Sequence, residues 1–197
     1  MAIVAACGSK EERLPMLSDQ PSSPVQELQD RRHWSGPTLA NGVLTSELAE
    51  FCQSGLSIVL ASRDGAGRPV VGRGLACIID ADGRVRVVFR DPPNAALHRA
   101  IASGAPIAAT FTRPSTHRSI QLKAPRAELV RSAPPDGPSA ILQTRAFADE
   151  LVRAGYPARF AAAYTRFEPH ELAAFAFLPE NAFVQTPGPS AGSALTP

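Results

Sequence analysis

The stretch that decides the fold is residues 57–89, SIVLASRDGAGRPVVGRGLACIIDADGRVRVVF. It opens with a short apolar run at 58–61, which is typical of a buried strand. A Gly- and Pro-containing turn follows and leads into a longer apolar segment at 70–79, which predicts a hairpin. Asp82-Gly83 is a strong signal for a second hairpin into 85–87. Two consecutive hairpins exclude a parallel doubly wound sheet, because such a sheet needs a helix after nearly every strand.

The chain on either side adds more strands and a few helices. Upstream, Thr45 or Ser46 caps a helix that ends at Gly55, and Glu50 is placed for a capping box. Downstream, strands are predicted at 108–112, 119–123, 127–130 and 172–178. Helices are predicted from Pro92-Pro93-Asn94 to Gly104 and over 141–153, before Gly155. Short strands, hairpin turns and few helices predict a mainly β (α+β) antiparallel barrel with peripheral helices.

The composition fits one globular domain with flexible ends. The 197 residues are 44% hydrophobic with a mean hydropathy of -0.06, enough for a buried core. We expect a flexible N-terminal arm at 1–40, a domain at 41–185 and a Pro/Gly-rich tail at 186–197. Within the arm, 25–34 is compatible with a short helix, and Trp34 either anchors the arm or stacks on a ligand. The tail covers a pocket, crosses to a partner subunit or is disordered.

Charge and cysteine usage narrow the class of protein. The net charge of +2 is too small to indicate nucleic acid, and no apolar run approaches the roughly 20 residues of a membrane span. Cys7, Cys52 and Cys77 are scattered, which argues against a disulfide framework and favours the cytoplasm. The histidines show no metal-ligand spacing, so no metal site is expected; they are His33, His98, His117 and His170.

Arg73 is the first candidate for a binding residue. It lies within a predicted strand between Gly72 and Gly74, which indicate a β-bulge or a close approach by another part of the chain. A guanidinium group makes strong, charge-assisted hydrogen bonds to phosphate. The alternative is a surface arginine beside a bulge.

A second candidate is the polar run 116–121, at a transition from loop to strand. It contains two hydroxyls, an imidazole, a guanidinium and an amide: Thr116, His117, Arg118, Ser119 and Gln121. Strand alternation sends Ser119, Gln121 and Lys123 to one face. That face has three polar groups suited to a phosphate, and the alternative is a solvent-exposed polar face.

The order of these elements resembles the split-barrel flavin-binding domain of the pyridoxamine 5'-phosphate oxidase family. The resemblance covers roughly residues 44–185 and implies a Greek-key split β-barrel that binds flavin mononucleotide (FMN) between the subunits of a homodimer. It implies that Arg73 and Arg118 bind the phosphate, with Arg90 and Arg99 as further phosphate candidates. It also implies contacts to the ribityl chain or ring from the polar run, which comprises Thr116, His117, Ser119 and Gln121.

The sequence departs from that family at two places. The start of the helix reads Asn94-Ala95-Ala96 where family members carry a Ser-Arg-Lys-like phosphate cluster. The chain ends on 183–192, FVQTPGPSAG, without the Arg-x-His motif that contacts pyridoxal, so oxidation of vitamin B6 is not supported.

The resemblance thus predicts an FMN-dependent oxidoreductase that acts on an unknown small molecule. Flavin carries the redox chemistry itself, which agrees with the lack of an evident acid–base pair in the sequence. The alternative is a non-catalytic split-barrel protein that stores flavin, binds haem through His98, His117 or His170, or binds another phosphorylated ligand. Both a deazaflavin and FMN remain open as cofactors.

Overall fold

The computed structural model describes residues 34–195 as one eight-stranded antiparallel sheet with four peripheral helices. The helices are α1 (Ser46–Cys52), α2 (Ala95–Ala102), α3 (Asp136–Arg153) and α4 (Ala158–Tyr164). The strands are β1 (Ser57–Arg63), β2 (Pro69–Ile79), β3 (Val85–Arg90), β4 (Ile107–Thr112), β5 (Ser119–Ala124), β6 (Glu128–Val130), β7 (Leu172–Phe177) and β8 (Asn181–Val184). Single 3-10 turns at Pro92–Asn94 and Pro169–Glu171 precede α2 and β7.

The strand order is β6-β7-β3-β2-β1-β4-β5-β8, so β6 and β8 form the two edges. β1, β2 and β3 follow one another as the two predicted hairpins, and β4 joins the other side of β1. The sheet curves around one buried cluster that contains residues from both ends of this order, including Phe175 on β7 and Ala182 on β8. The predicted mainly β antiparallel split barrel with peripheral helices is confirmed.

Alternation of side chains explains why the sheet encloses a core. Along β4 the burial alternates strictly, with Ile107, Ala109 and Phe111 inside. On β5, Ile120 and Leu122 point inward, while Gln121 is half-buried and Lys123 is exposed, as predicted. Apolar side chains from both halves of the sheet therefore leave water together, which is the main favourable contribution to folding.

Three local predictions need correction. Thr45 is the N-cap of α1, and its side chain accepts a hydrogen bond from the Leu48 N–H, so the third helical position holds Leu48 and no Glu50 capping box forms. Helix α3 begins at Asp136, five residues before the predicted start. Helix α4 was not predicted. It carries one basic residue among small and aromatic ones and is too short for a readable period.

Both ends of the described chain lie against the sheet or α1. Trp34 is buried against Phe51 of α1, with ring centroids 4.9 Å apart. Residues 186–195 fold back along β8, where the Leu195 N–H donates to the Ala182 carbonyl. Of the expected arm at 1–40, residues 1–33 lie outside the described residues, and so does all of the expected 25–34 helix except Trp34.

Cys52 and Cys77 are buried free thiols. Burial raises the pKa of both. Within residues 34–195, no cluster of His, Cys, Asp or Glu is suited to a metal ion, and no helix is both long and apolar enough to cross a membrane.

Candidate functional site

A cleft of about 380 Å³ lies on the outer face of the sheet, where β2 meets the start of α2 and the end of α4. Its size is within the usual range for small-molecule sites, roughly 300–1,000 Å³. Apolar and basic side chains share its walls. The lining residues are Val59, Val71, Gly72, Arg73, Leu75, Arg90, Pro93, Asn94, Tyr164 and Arg166.

Arg73 places a half-buried positive charge in this cleft. Its guanidinium carbon lies 3.7 Å from the centroid of the Tyr164 ring, and its Nη2 donates to the Tyr164 carbonyl at 3.3 Å. No carboxylate of residues 34–195 forms an ion pair with it. Burial lowers the pKa of Arg73, and the nearby Arg90 acts in the same direction, yet an arginine stays charged at neutral pH. The charge of Arg73 is therefore available to an anion.

Asn94 fastens the start of α2 to the backbone of Arg73. Its Oδ1 accepts from the Arg73 N–H at 2.9 Å, and its Nδ2 donates to the carbonyls of Arg73 (3.3 Å) and Arg90 (2.6 Å). This approach needs Gly72, because a Cβ there would lie 2.5 Å from the Asn94 Oδ1. A register shift between Gly74 and Ala76 adds a β-bulge beside Arg73. The sequence prediction of a bulge or a close approach at the two glycines is confirmed on both counts.

The other two arginines of the cleft are paired with carboxylates. Arg90 makes a bidentate pair with Glu171, through Nε at 2.9 Å and Nη2 at 2.8 Å. The hydrogen bonds that Arg90 donates to the Glu171 carboxylate raise the pKa of Arg90. Arg166 lies 3.5 Å from the Glu168 carboxylate and is largely exposed. Their charges are thus partly compensated within the protein.

The start of α2 offers no basic side chain to a phosphate. Pro92 and Pro93 lack backbone N–H groups, and the side chains of Ala95 and Ala96 are exposed but contain no polar atom. Arg99 lies in the last turn of α2, exposed and outside the cleft lining.

The polar run at 116–121 lies outside the cleft, at the β4–β5 turn and along β5. Thr116 and His117 are exposed, and His117 has a φ of 57°, in the left-handed region. The Arg118 guanidinium stacks on the Trp34 ring at 3.9 Å. Ser119 is buried, and its hydroxyl is 2.7 Å from the Thr112 hydroxyl. This part of the predicted site is therefore separate from the cleft at Arg73.

One row of paired residues connects the two regions across the outer face. Arg73 is opposite Val59, which is opposite Thr110, which in turn is opposite Gln121. The Gln121 Nε2 donates to the Thr110 hydroxyl at 2.9 Å. At roughly 4.8 Å between neighbouring strands, Gln121 lies about 14 Å from Arg73 along this row.

Of the predicted residues, the structure brings Arg73 and Arg90 together in the cleft. Tyr164 and Arg166 were missed by the sequence reasoning. The available signal was the recurrence of an aromatic residue at every fourth position, at Tyr156, Phe160 and Tyr164, of which the last two lie on α4.

Comparisons of sequence found no matching family model and no matching curated protein. Solved structures are similar at low identity. HupZ from Group A Streptococcus has a TM-score of 0.45 and 16% identity, over 76% of this chain and 100% of that one. A putative pyridoxamine 5'-phosphate oxidase from Lactobacillus delbrueckii has a TM-score of 0.45 and 15% identity, over 72% and 94%. HutZ, described as the heme storage protein from Vibrio cholerae, has a TM-score of 0.40 and 16% identity, over 72% and 94%. Similarity at this level decides nothing about ligand or activity.

Proposed function

We propose that this chain is a cytoplasmic flavoprotein that binds FMN in the cleft at Arg73 and acts as an oxidoreductase on a small molecule. The observation that carries the proposal is the charge of Arg73. It is half-buried, has no carboxylate partner among the described residues, and borders a cleft whose walls also carry apolar side chains. Such a charge favours a ligand that joins an anionic group to an apolar body.

The cleft, together with the row of paired residues from Arg73 to Gln121, offers suitable groups for the phosphate, the ring and the polar chain of FMN. Arg73 is suited to the phosphate, and Val59, Val71 and Leu75 offer apolar surface to a planar ring. Thr110 and Gln121 offer polar groups further along the same face. Bound flavin supplies the redox chemistry, so the task of the protein is to bind, orient and exclude water. Contacts of the ligand with Thr116, His117, Arg118, Ser119, Arg90 and Arg99 remain predictions.

We also propose that the outer face packs against a second copy of the chain. Val59 and Val71 are 42% and 67% exposed, and both border the cleft. Large side chains that are apolar and exposed side by side are characteristic of an interface. A partner on this face would close the cleft and place FMN between the two subunits.

A non-catalytic binding protein is the second candidate function. It is favoured by the start of α2, where Asn94 is occupied by the backbone of β2 and Ala95 and Ala96 provide no phosphate contact. The ligand would then be flavin for storage or another phosphorylated molecule. Haem is less well supported, since His98, His117 and His170 all lie outside the cleft lining. His98 is also paired with Asp91.

The decisive experiment is an absorbance spectrum of the purified protein followed by titration with FMN. We expect stoichiometric binding that Arg73→Ala weakens by about 10- to 100-fold, as is typical for loss of a charged hydrogen bond. Arg68→Ala is the matched control, since that side chain is 79% exposed on the β1–β2 turn. Arg118→Ala tests the second predicted phosphate ligand.

The outcomes separate the candidate functions. Flavin bands together with turnover of a reductant support the oxidoreductase, and flavin bands without turnover support storage. A Soret band would instead indicate haem. Failure of wild-type protein to bind FMN at high micromolar concentration would refute the flavin proposal.

A further inference from the structure

Three aromatic rings form a stack that begins just before α4, continues along it and ends at Arg73. Tyr156 and Phe160 have ring centroids 5.2 Å apart, and Phe160 and Tyr164 are 5.5 Å apart, with interplanar angles of 21° and 18°. The guanidinium of Arg73 continues the stack on the ring of Tyr164. All three residues remain 40–49% exposed, and Tyr164 also contacts the buried Phe147, with ring centroids 6.1 Å apart, so the stack is only in part a core contact.

This stack determines the orientation of Arg73 while leaving most of its donors unused. A guanidinium has its five N–H groups in one plane, so a ring against its face leaves the donor edge accessible. One donor, on Nη2, binds the Tyr164 carbonyl at 3.3 Å. Within residues 34–195, Nε and Nη1 donate to no protein acceptor, and the side chain borders the cleft.

The three arginines of the cleft are held in different ways. Glu171 holds Arg90 and Glu168 contacts Arg166, so two guanidinium groups are positioned by carboxylates that also compensate their charge. Arg73 is held by the neutral ring and the neutral carbonyl of Tyr164. Because these groups of Tyr164 are uncharged, they orient the guanidinium without compensating its positive charge, which can then bind an anionic ligand.

We propose that Tyr164 is the positioning residue of an anion site at Arg73, and that this site takes the phosphate monoester of a ligand with a planar body. The inference rests on the proposed function for the choice of ligand. Tyr164 acts on the phosphate through Arg73, whose guanidinium carbon lies 3.7 Å from the centroid of its ring. Its contribution lies in the affinity for the phosphate and not for the ring system.

The test compares FMN with riboflavin, which has the same ring system and ribityl chain but no phosphate. Dissociation constants for both are measured by flavin fluorescence with wild-type protein, Tyr164→Ala, Tyr164→Phe and Tyr156→Ala. We expect Tyr164→Ala to weaken FMN binding about tenfold, in the range of a partly buried cation–π contact. Riboflavin binding should stay within about twofold, and Tyr164→Phe should keep the wild-type preference, since it retains the ring and the backbone carbonyl.

Tyr156→Ala is the matched control, because Tyr156 belongs to the same stack but does not contact Arg73. A merely structural role would move both ligands together, or would make Tyr156→Ala as harmful as Tyr164→Ala. An unchanged FMN-to-riboflavin ratio in Tyr164→Ala would overturn the inference.

Inorganic pyrophosphate, measured by calorimetry, keeps the inference separate from the flavin proposal. Wild-type protein that binds pyrophosphate but not FMN would refute the flavin proposal alone, and the same variants then test Tyr164 with pyrophosphate. Wild-type protein that binds neither would refute both.

Discussion

Gly72 and Gly74 decide what can approach the central strand β2. A Cβ at Gly72 would lie 2.5 Å from the Asn94 Oδ1 and 2.7 Å from the Leu97 Cδ2. A Cβ at Gly74 would lie 2.8 Å from Ile58 and 2.9 Å from Val87. Distances this short require the neighbours to move. The two glycines therefore let α2 and the core close on both sides of Arg73.

Gly72→Ala should destabilise the protein by about 1–3 kcal/mol, as overpacking commonly does. The cause is displacement of Asn94 and Leu97, which together hold α2 on β2. The free energy of unfolding is measured by urea denaturation. Gly65→Ala is the control, since a Cβ there meets nothing within 4 Å, and its effect should stay within about 0.5 kcal/mol. Equal stability of the two variants would contradict the close approach.

At the residue scale, the sequence predicted Arg73 and the crowding around it but not the groups that hold it. Glycines on either side of a strand residue are a local signal of a bulge or a close approach, and three consecutive residues are enough to show it. Tyr164 lies 91 positions further along the chain, and its contact depends on where α4 ends. No local pattern contains that information.

At the element scale, β2 is longer than either of its neighbours, and amide side chains complete its hydrogen bonding. β3 pairs with β2 from Gly74 onward. At Arg73, which the pairing with β3 does not reach, the Asn94 side chain accepts a hydrogen bond from the backbone N–H. The pairing with β1 also ends at Gly74. Beyond it Gln143 pairs with the Cys77 N–H (2.9 Å) and carbonyl (2.7 Å). Buried backbone groups need partners, so these side chains let β2 extend past both strands.

An ion pair anchors the start of α3 to β3. Arg86 makes a bidentate pair with Asp136, with Nε and Nη2 each 2.6 Å from a carboxylate oxygen. The Ala133 N–H donates to the same carboxylate at 2.8 Å. Burial alone raises the pKa of Asp136, but the hydrogen bonds from Arg86 and Ala133 outweigh it, so the pKa lies below its ordinary value. Stabilisation from Asp136 is therefore present above pH 4, about the ordinary Asp pKa, and is lost as pH falls below it.

Asp136→Asn should lower the free energy of unfolding at pH 7 by about 3 kcal/mol, because it leaves Arg86 without its counter-charge. The gap between wild type and variant should narrow as pH falls below about 4, because the Asp136 carboxylate is protonated first in the unfolded chain and, at still lower pH, in the folded protein. Denaturation curves between neutral and acidic pH measure both effects. Glu128→Gln is the control, since its pair with Arg84 is exposed and should contribute less than about 1 kcal/mol. A gap independent of pH would contradict the assigned role of this carboxylate.

At this scale, the sequence predicted those elements that a local pattern of turn residues and apolar side chains marks. The hairpins and the Pro92-to-Gly104 helix were found because turn residues and apolar spacing mark them directly. The start of α3 was missed, since the Pro-rich segment before Ile141 looks like a loop in the sequence, whereas the helix begins within it at Asp136. Side chains that complete β2 were not predictable either, because Gln143 is 66 residues from Cys77.

At the scale of the whole molecule, the sheet depends on strand pairs between distant segments of the chain. β7 joins β3 more than 80 residues away along the chain, and β6 is placed only through β7. Periodicity in the sequence shows which residues face inward, but it does not show which strands are neighbours. The curvature that brings β7 and β8 around one core therefore came from the structure, and so did the apolar outer face beside the cleft.

That outer face leads to the last prediction, which concerns assembly. If a second copy covers Val59 and Val71, a carboxylate introduced at this contact would lose its hydration without gaining a partner. That loss is unfavourable for association. Val71→Glu should therefore raise the dimer dissociation constant more than tenfold in sedimentation velocity runs over a concentration series. Leu142→Glu on α3 is the matched control, because Leu142 is 69% exposed against 67% for Val71 but lies outside the cleft face. Wild-type protein that is monomeric at all concentrations would contradict the dimer, and a dimer lost only in Leu142→Glu would place the interface on α3 instead.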